Sequence, residues 1–92
     1  MNEPKAVRTV TITNPQGLHA RPADMFVKVA LKYQAKVEVV TNSERIDGKS
    51  ILSILTLAAT EGTVLRLEAA GPDAEAALDE LVELIANNFG EA

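Results

Sequence analysis

Apolar and polar positions change their period several times along the chain, and each change marks an element. Residues 7–13 alternate with period two, with Val7, Thr9, Thr11 and Thr13 on one side and Arg8, Val10 and Ile12 on the other. The run is rich in β-branched residues and predicts a strand. Asn14-Pro15-Gln16-Gly17 breaks it as a turn. Ala23, Phe26, Val27, Ala30 and Leu31 then recur at helical spacing and predict one core-facing helix stripe. Pro22 has no backbone N–H to give to a helix, so it fits only the first turn, and the helix must start close to residues 19–21. Alternation returns over residues 36–41, with Val37 and Val39 opposed to Lys36, Glu38 and Val40. Asn42-Ser43 predicts a turn into a short strand over residues 44–47, which Gly48 ends. The next apolar stretch has strand propensity too. Ser50 is a good N-cap, however, and Ile51, Ile54, Leu55 and Ala58 fit a short helix, which is the reading adopted. Over residues 63–69, Val64, Arg66 and Glu68 alternate with Leu65, Leu67 and Ala69. Gly71-Pro72-Asp73 opens a last helix with the stripe Ala74, Ala77, Leu78, Leu81, Val82, Ile85 and Phe89, and Gly90 stops it. Asp73 and Glu75 suit the positive end of its dipole.

The order is βαββαβα, and the two middle strands are close enough to form a hairpin. That predicts an α+β two-layer open-faced sandwich, a four-stranded antiparallel sheet with three helices on one face. No repeat, linker or low-complexity segment interrupts it, so a single domain over residues 1–92 is expected. A chain of this length buries roughly 60–65% of its unfolded surface. Only Phe26, Tyr33 and Phe89 are aromatic. The core must therefore be aliphatic, and base-stacking platforms for nucleic acid are not expected. The absence of cysteine excludes disulfides, thiol catalysis and Cys-ligated metal, and the lone His19 leaves only oxygen ligands for any metal, so no metal or cofactor is expected.

The net charge of −4 argues further against nucleic acid. It is unevenly spread. Residues 1–50 carry eight bases and five acids, a balance of +3, and residues 51–92 carry one base and eight acids, a balance of −7. This predicts a locally basic face, with the acidic last helix packed elsewhere. No apolar run approaches the ~20 residues that span a membrane, and the N-terminal stretch has no signal-peptide core. A cytoplasmic monomer is expected.

Chemistry concentrates in Gly17-Leu18-His19-Ala20-Arg21-Pro22-Ala23. A helix N-terminus offers free N–H donors and partial positive charge, which together make an anion site. The Arg21 guanidinium suits phosphate oxygens. A neutral imidazole placed there is a nucleophile beside a phosphate cradle, so the pattern fits a histidine that receives a phosphoryl group and passes it on. The plainer reading stands beside it: His19 as a capping or surface residue and Arg21 as a solvated charge. No acid that would orient His19 can be picked from the pattern, and a hydrolase triad is unsupported.

The same seven residues resemble the active-site signature of the HPr family, the histidine-containing phosphocarriers of the bacterial phosphoenolpyruvate-dependent sugar phosphotransferase system. Gly48-Lys49-Ser50-Ile51-Leu52 resembles that family's regulatory-serine segment. The resemblance runs from about residue 5 to 89 without an evident gap, and the βαββαβα order is the family's. It implies that His19 accepts a phosphoryl group on Nδ1 from phospho-enzyme I and delivers it to sugar-specific IIA domains. It implies that Arg21 contacts the phosphoryl group and that Pro22 helps set the helix start. Ser50 matches a serine that a dedicated ATP-dependent kinase/phosphorylase modifies in many bacteria. The modified form slows sugar uptake and serves as corepressor of a catabolite-control transcription factor. Such a carrier is not an enzyme in its own right.

If the first two helices lie side by side, Leu18, Ala20, Ile51, Leu52 and Leu55 form an apolar docking patch, and Arg21, Lys28 and Lys49 its basic rim. The alternatives for these residues are core packing and a solvated face. The alternatives for the whole chain are a carrier of the nitrogen-related branch, or a general α+β interaction domain with His19 incidental. Three positions depart from the family's usual pattern: Asp24, Ser43 in place of a hairpin glycine, and Ala58 where glycine often ends the second helix.

Overall fold

The computed structural model describes residues 5–91; residues 1–4 and 92 of the expected domain lie outside them. The alternating runs form β1 (Lys5–Thr11), β2 (Lys36–Val40), β3 (Arg45–Asp47) and β4 (Val64–Ala70). They join in one antiparallel sheet of order β1-β4-β2-β3. β1, β2 and β4 each hide one side. Ala6, Val10, Val37, Val39, Leu65, Leu67 and Ala69 line the inner face, and Val7 and Val64 stand exposed on the other. The helices are α1 (Ala20–Leu31), α2 (Ile51–Leu57) and α3 (Ala74–Ala86), followed by a single 3-10 turn over Asn88–Gly90. They cover the inner face alone, with α3 lying against β1, β4 and β2 and with α1 packed on both α2 and α3. This is the open-faced α+β sandwich that the pattern predicts.

The hairpin between β2 and β3 explains how serine replaces glycine. The Thr41 amide donates to the Glu44 carbonyl at 2.9 Å, and the Thr41 hydroxyl oxygen accepts from the amides of Ser43 and Glu44 at 3.3 and 3.2 Å. None of these residues has positive φ, so nothing in the turn demands glycine. Ala58 differs. It ends α2 at φ 53°, ψ 39°, the left-handed conformation that glycine adopts without penalty.

Three sequence expectations change. Leu31 is 60% exposed, because α1 ends there and no neighbour covers its last residue. Phe89 is fully buried, but not on the stripe of α3. The helix ends at Ala86, and left-handed angles at Asn88, Phe89 and Gly90 turn the chain so that the ring re-enters the core. Asp73 precedes α3 yet makes no side-chain cap to it. Its carboxylate accepts from the amides of Gln34 and Ala35 at 2.9 and 2.8 Å instead. The amide of Gln34, seconded by that of Ala35, holds the Asp73 carboxyl below the usual aspartate range.

Charged side chains then tie the layers at their edges. Arg8 reaches from β1 to Glu75 and Asp79 on α3 at 2.8 and 3.1 Å. Glu80 of α3 accepts from Lys32 and from the Tyr33 hydroxyl at the end of α1.

The left-handed alanine generates a prediction. An L side chain at such angles costs about 1–2 kcal/mol, part of which glycine gives back through the freer unfolded chain. Ala58→Gly is expected to raise the unfolding free energy by about 0.5–1 kcal/mol. A urea titration that shows the variant equal to or below wild type would contradict this account of the α2 terminus.

Candidate functional site

His19 occupies the N-cap of α1. Its backbone is extended, and its carbonyl accepts from the Ala23 amide at 2.9 Å, which is the first turn of the helix. Its side chain makes no cap, so the capping role considered for the ring does not apply. Pro22 lies buried in the first turn, as its missing N–H requires. The amides of Ala20 and Arg21 have no carbonyl of the helix to donate to, and the first turn itself contains no acidic residue. Ala20 and Arg21 are both exposed, and Arg21 enters none of the ion pairs among the described residues.

The loop before α1 sets where this helix end points. The Gly17 amide closes a turn onto the Asn14 carbonyl at 3.0 Å, and the Leu18 amide donates to the Ala59 carbonyl at 2.9 Å. Gly17 has φ +66°, and a Cβ there would fall 2.2 Å from the same Ala59 oxygen, so only glycine allows the approach. The start of α1 thus lies beside the end of α2. At the other end, the Lys49 ammonium donates to the Tyr33 carbonyl at 2.7 Å, which brings the start of α2 to the end of α1. The two helices run antiparallel. An open groove of about 420 Å³, lined by Leu18, Ala20, Leu55, Ala58 and Thr60 among others, adjoins His19.

From that groove an apolar strip follows α2. Leu55, Leu52 and Ile51 are 37%, 71% and 40% exposed, and Ile54 alone is buried. Core packing is therefore not their role. Ser50 caps the far end of the helix, its hydroxyl oxygen accepting from the Ser53 amide at 3.2 Å. His19 and Ser50 thus mark the two ends of one exposed strip.

Two of the expected docking residues, Leu18 and Lys49, are placed otherwise, and a third, Lys28, is paired. Leu18 is only 3% exposed; the bond to Ala59 draws it under the groove, where it packs in the core. Lys49 spends its ammonium at the end of α1 opposite to His19. Lys28 pairs with Asp24 one turn before it at 2.9 Å, which gives the unusual Asp24 a partner and removes net charge from the rim. Of the expected basic rim, Arg21 alone enters no ion pair or side-chain hydrogen bond among the described residues.

The acidic end of the chain is not all packed elsewhere, either. Glu91 lies at His19, with Oε2 3.1 Å from Nε2. Its other oxygen accepts from Asn14 Nδ2 at 3.1 Å, and the same nitrogen donates to the Gly17 carbonyl at 2.8 Å. Asn14 is 1% exposed, and its Oδ1 has no partner. Sequence reasoning missed both residues. Glu91 is 72 positions from His19, and no local pattern links them.

Other grooves open on the bare face of the sheet, away from His19. One is lined by Glu38, Arg45 and Glu68, whose charges already satisfy each other. Arg45, helped by Arg66, holds the Glu68 carboxyl below its usual range. Among the described residues no cluster of three His, Asp or Glu side chains is placed to hold a metal, and no helix is long and apolar enough to cross a membrane.

Comparison with known proteins places this geometry. A family model described as PTS HPr component phosphorylation site matches residues 6–87. The phosphocarrier protein HPr of Pseudomonas aeruginosa is 49% identical over 83 residues, covering 89% of this chain and 92% of that protein. The HPr of Cupriavidus necator is 42% identical over 84 residues, covering 91% and 94%. A crystal structure of HPr from Thermoanaerobacter tengcongensis superposes with a TM-score of 0.91 at 40% identity, covering 95% of this chain and 98% of that one.

Two leucines, Leu18 beneath the groove and Leu52 on the strip, test this division of core and surface. Leu18→Ala is expected to cost about 2–5 kcal/mol of stability, as a core truncation, and Leu52→Ala less than about 0.5 kcal/mol. Equal losses in chemical denaturation would show that the core and the strip have been wrongly divided.

Proposed function

The chain belongs to the HPr family of phosphotransferase-system phosphocarriers, and on that premise we propose that His19 takes a phosphoryl group on Nδ1 from phospho-enzyme I and hands it to sugar-specific IIA domains. One observation carries this reading. The ring stands at the N-cap of α1 without capping it, its Nδ1 makes no hydrogen bond among the described residues, and the first-turn amides of the helix and the exposed Arg21 follow it directly in the chain.

The chemistry follows from that placement. A phosphoryl group in transfer spreads negative charge over its equatorial oxygens, and the protein contributes position and electrostatics. In this reading the helix end and Arg21, two residues along, supply the positive charge for those oxygens. The open groove suits a carrier, because a group that must leave again is not to be enclosed. The incoming protein supplies the rest of each transfer site and docks on the strip of Leu55, Leu52 and Ile51, with Ala20 at its edge. We take the chain to act as one cytoplasmic domain over residues 1–92, as a monomer.

Ser50 is the proposed regulatory site, modified by an ATP-dependent kinase. A phosphate there places about two negative charges at the far end of the strip. It acts on docking rather than on the ring, since the whole of α2 separates the two. The form modified at Ser50 is then the one read by a catabolite-control transcription factor.

The first test is labelling with enzyme I and phosphoenolpyruvate. Wild type gains an acid-labile adduct, His19→Ala gains none, and Arg21→Ala is labelled about tenfold more slowly. A wild-type chain that stays unlabelled where an authentic HPr is labelled would sink the carrier reading. Comparing transfer rates to IIA domains of the sugar and nitrogen branches separates those two roles. For the second site, the serine kinase and ATP are expected to leave an acid-stable adduct that Ser50→Ala abolishes. Undiminished labelling of Ser50→Ala would move the site to another hydroxyl.

A further inference from the structure

We propose that Glu91 is a positioning residue for His19: its carboxylate holds the ring in the tautomer with the proton on Nε2 and the lone pair on Nδ1, and balances the charge that the ring carries while phosphorylated. The inference rests on the carrier reading for its second half only. The tautomer is a property of the unmodified protein.

The geometry is built rather than incidental. The Glu91 side chain is largely sheltered, 21% exposed beside an imidazole at 35%. Both of its oxygens are engaged, Oε2 with His19 Nε2 at 3.1 Å and Oε1 with Asn14 Nδ2 at 3.1 Å. Asn14 is itself fixed, fully buried and donating to the Gly17 carbonyl as well. Its amide turns both donors to this cluster and leaves Oδ1 without a partner, an arrangement that favours the carboxylate over its own satisfaction. The backbone is also prepared. Phe89 is buried as an anchor, Asn88 and Phe89 take left-handed angles, and the Thr13 hydroxyl binds the Asn88 side chain at 2.5 Å. The Glu91 amide closes onto the Asn88 carbonyl at 2.9 Å, and the side chain is delivered to the histidine.

A carboxylate only accepts hydrogen bonds, so the ring nitrogen facing it must be the donor. With the proton held on Nε2, Nδ1 has a free electron pair. In uptake that pair forms the N–P bond, and the bond to the donor breaks with its electrons remaining on the donor. The ring then bears a positive charge shared with Nε2–H, and Glu91 faces it. In delivery the N–P pair returns to Nδ1. The Nε2 proton stays in place throughout, so neither step needs a base. The other tautomer would carry its proton on Nδ1 and could not attack.

The test pairs spectroscopy with transfer kinetics. Nitrogen-15 spectra of the neutral ring in wild type are expected to show Nε2 protonated and Nδ1 bare, with essentially one tautomer. Glu91→Ala is expected to shift both nitrogen signals toward the average of two tautomers and to slow transfer from enzyme I about fivefold at saturating enzyme I. Glu91→Gln keeps an acceptor without charge; it is expected to retain more of the tautomer than Glu91→Ala while still transferring slowly. Unchanged nitrogen signals in Glu91→Ala would overturn the inference, and so would full transfer rates in both variants. Neither result bears on whether wild-type His19 is labelled, which decides the carrier reading separately.

Discussion

The hydrogen bond from the Leu18 amide to the Ala59 carbonyl is the constraint from which the site follows. It requires the chain before α1 to pass against the chain after α2, at a distance that leaves no room for a Cβ on Gly17. Leu18 is pressed into the core in consequence, and His19, the next residue, is left at the surface with the first free amides of α1 behind it. Because the start of one helix meets the end of the other, α1 and α2 run antiparallel. Ser50 is thereby sent to the opposite end of the exposed strip. One backbone contact thus sets the proposed transfer and regulatory residues at opposite ends of one exposed apolar strip.

A second constraint comes from the end of the chain. An aliphatic core with few aromatic rings gains much from one more large side chain, and Phe89 supplies it. Reaching the core means unwinding after Ala86 and accepting left-handed angles, which asparagine tolerates and phenylalanine does not unless burial holds it there. The turn so formed carries Glu91 across to Asn14 and His19. Packing and site chemistry meet in this segment: the anchor is apolar, and the residue two positions on is the one that faces the imidazole.

Charge is arranged more economically than the totals imply. Much of the positive charge in the first half is drawn into pairs, Arg8 to α3, Lys28 to Asp24, Lys32 to Glu80 and Arg45 to the sheet carboxylates. Lys49 serves the end of α1. What remains near the histidine is the start of α1 with the exposed Arg21, set against the Glu91 carboxylate and beside an apolar strip. A partner docking there, as proposed, would meet a largely apolar surface rather than a broad basic patch.

The local rules of the chain were legible from its residues. Period-two runs became strands with the inward sides expected at Val10, Val37, Val39, Leu65 and Leu67. Pro22 placed the start of α1, Ser50 that of α2, and the lone His19 stood out from the beginning. These follow from backbone geometry and from hydrogen bonds within a few residues, which sequence spacing encodes directly. Other assignments waited for the packed layers. Leu18 and Leu52 are chemically alike, yet one is core and the other surface; Leu31 fits the helical stripe and lies exposed; Phe89 fits it and reaches the core by another path. In the sequence Glu91 is one more acid in an acidic segment, and in the fold it stands at the imidazole. Periodicity reports the side of its own element to which a side chain points. Which neighbour covers that side, and which distant group meets it there, depends on contacts between segments far apart in the chain, and those exist only once the sheet and helices have packed.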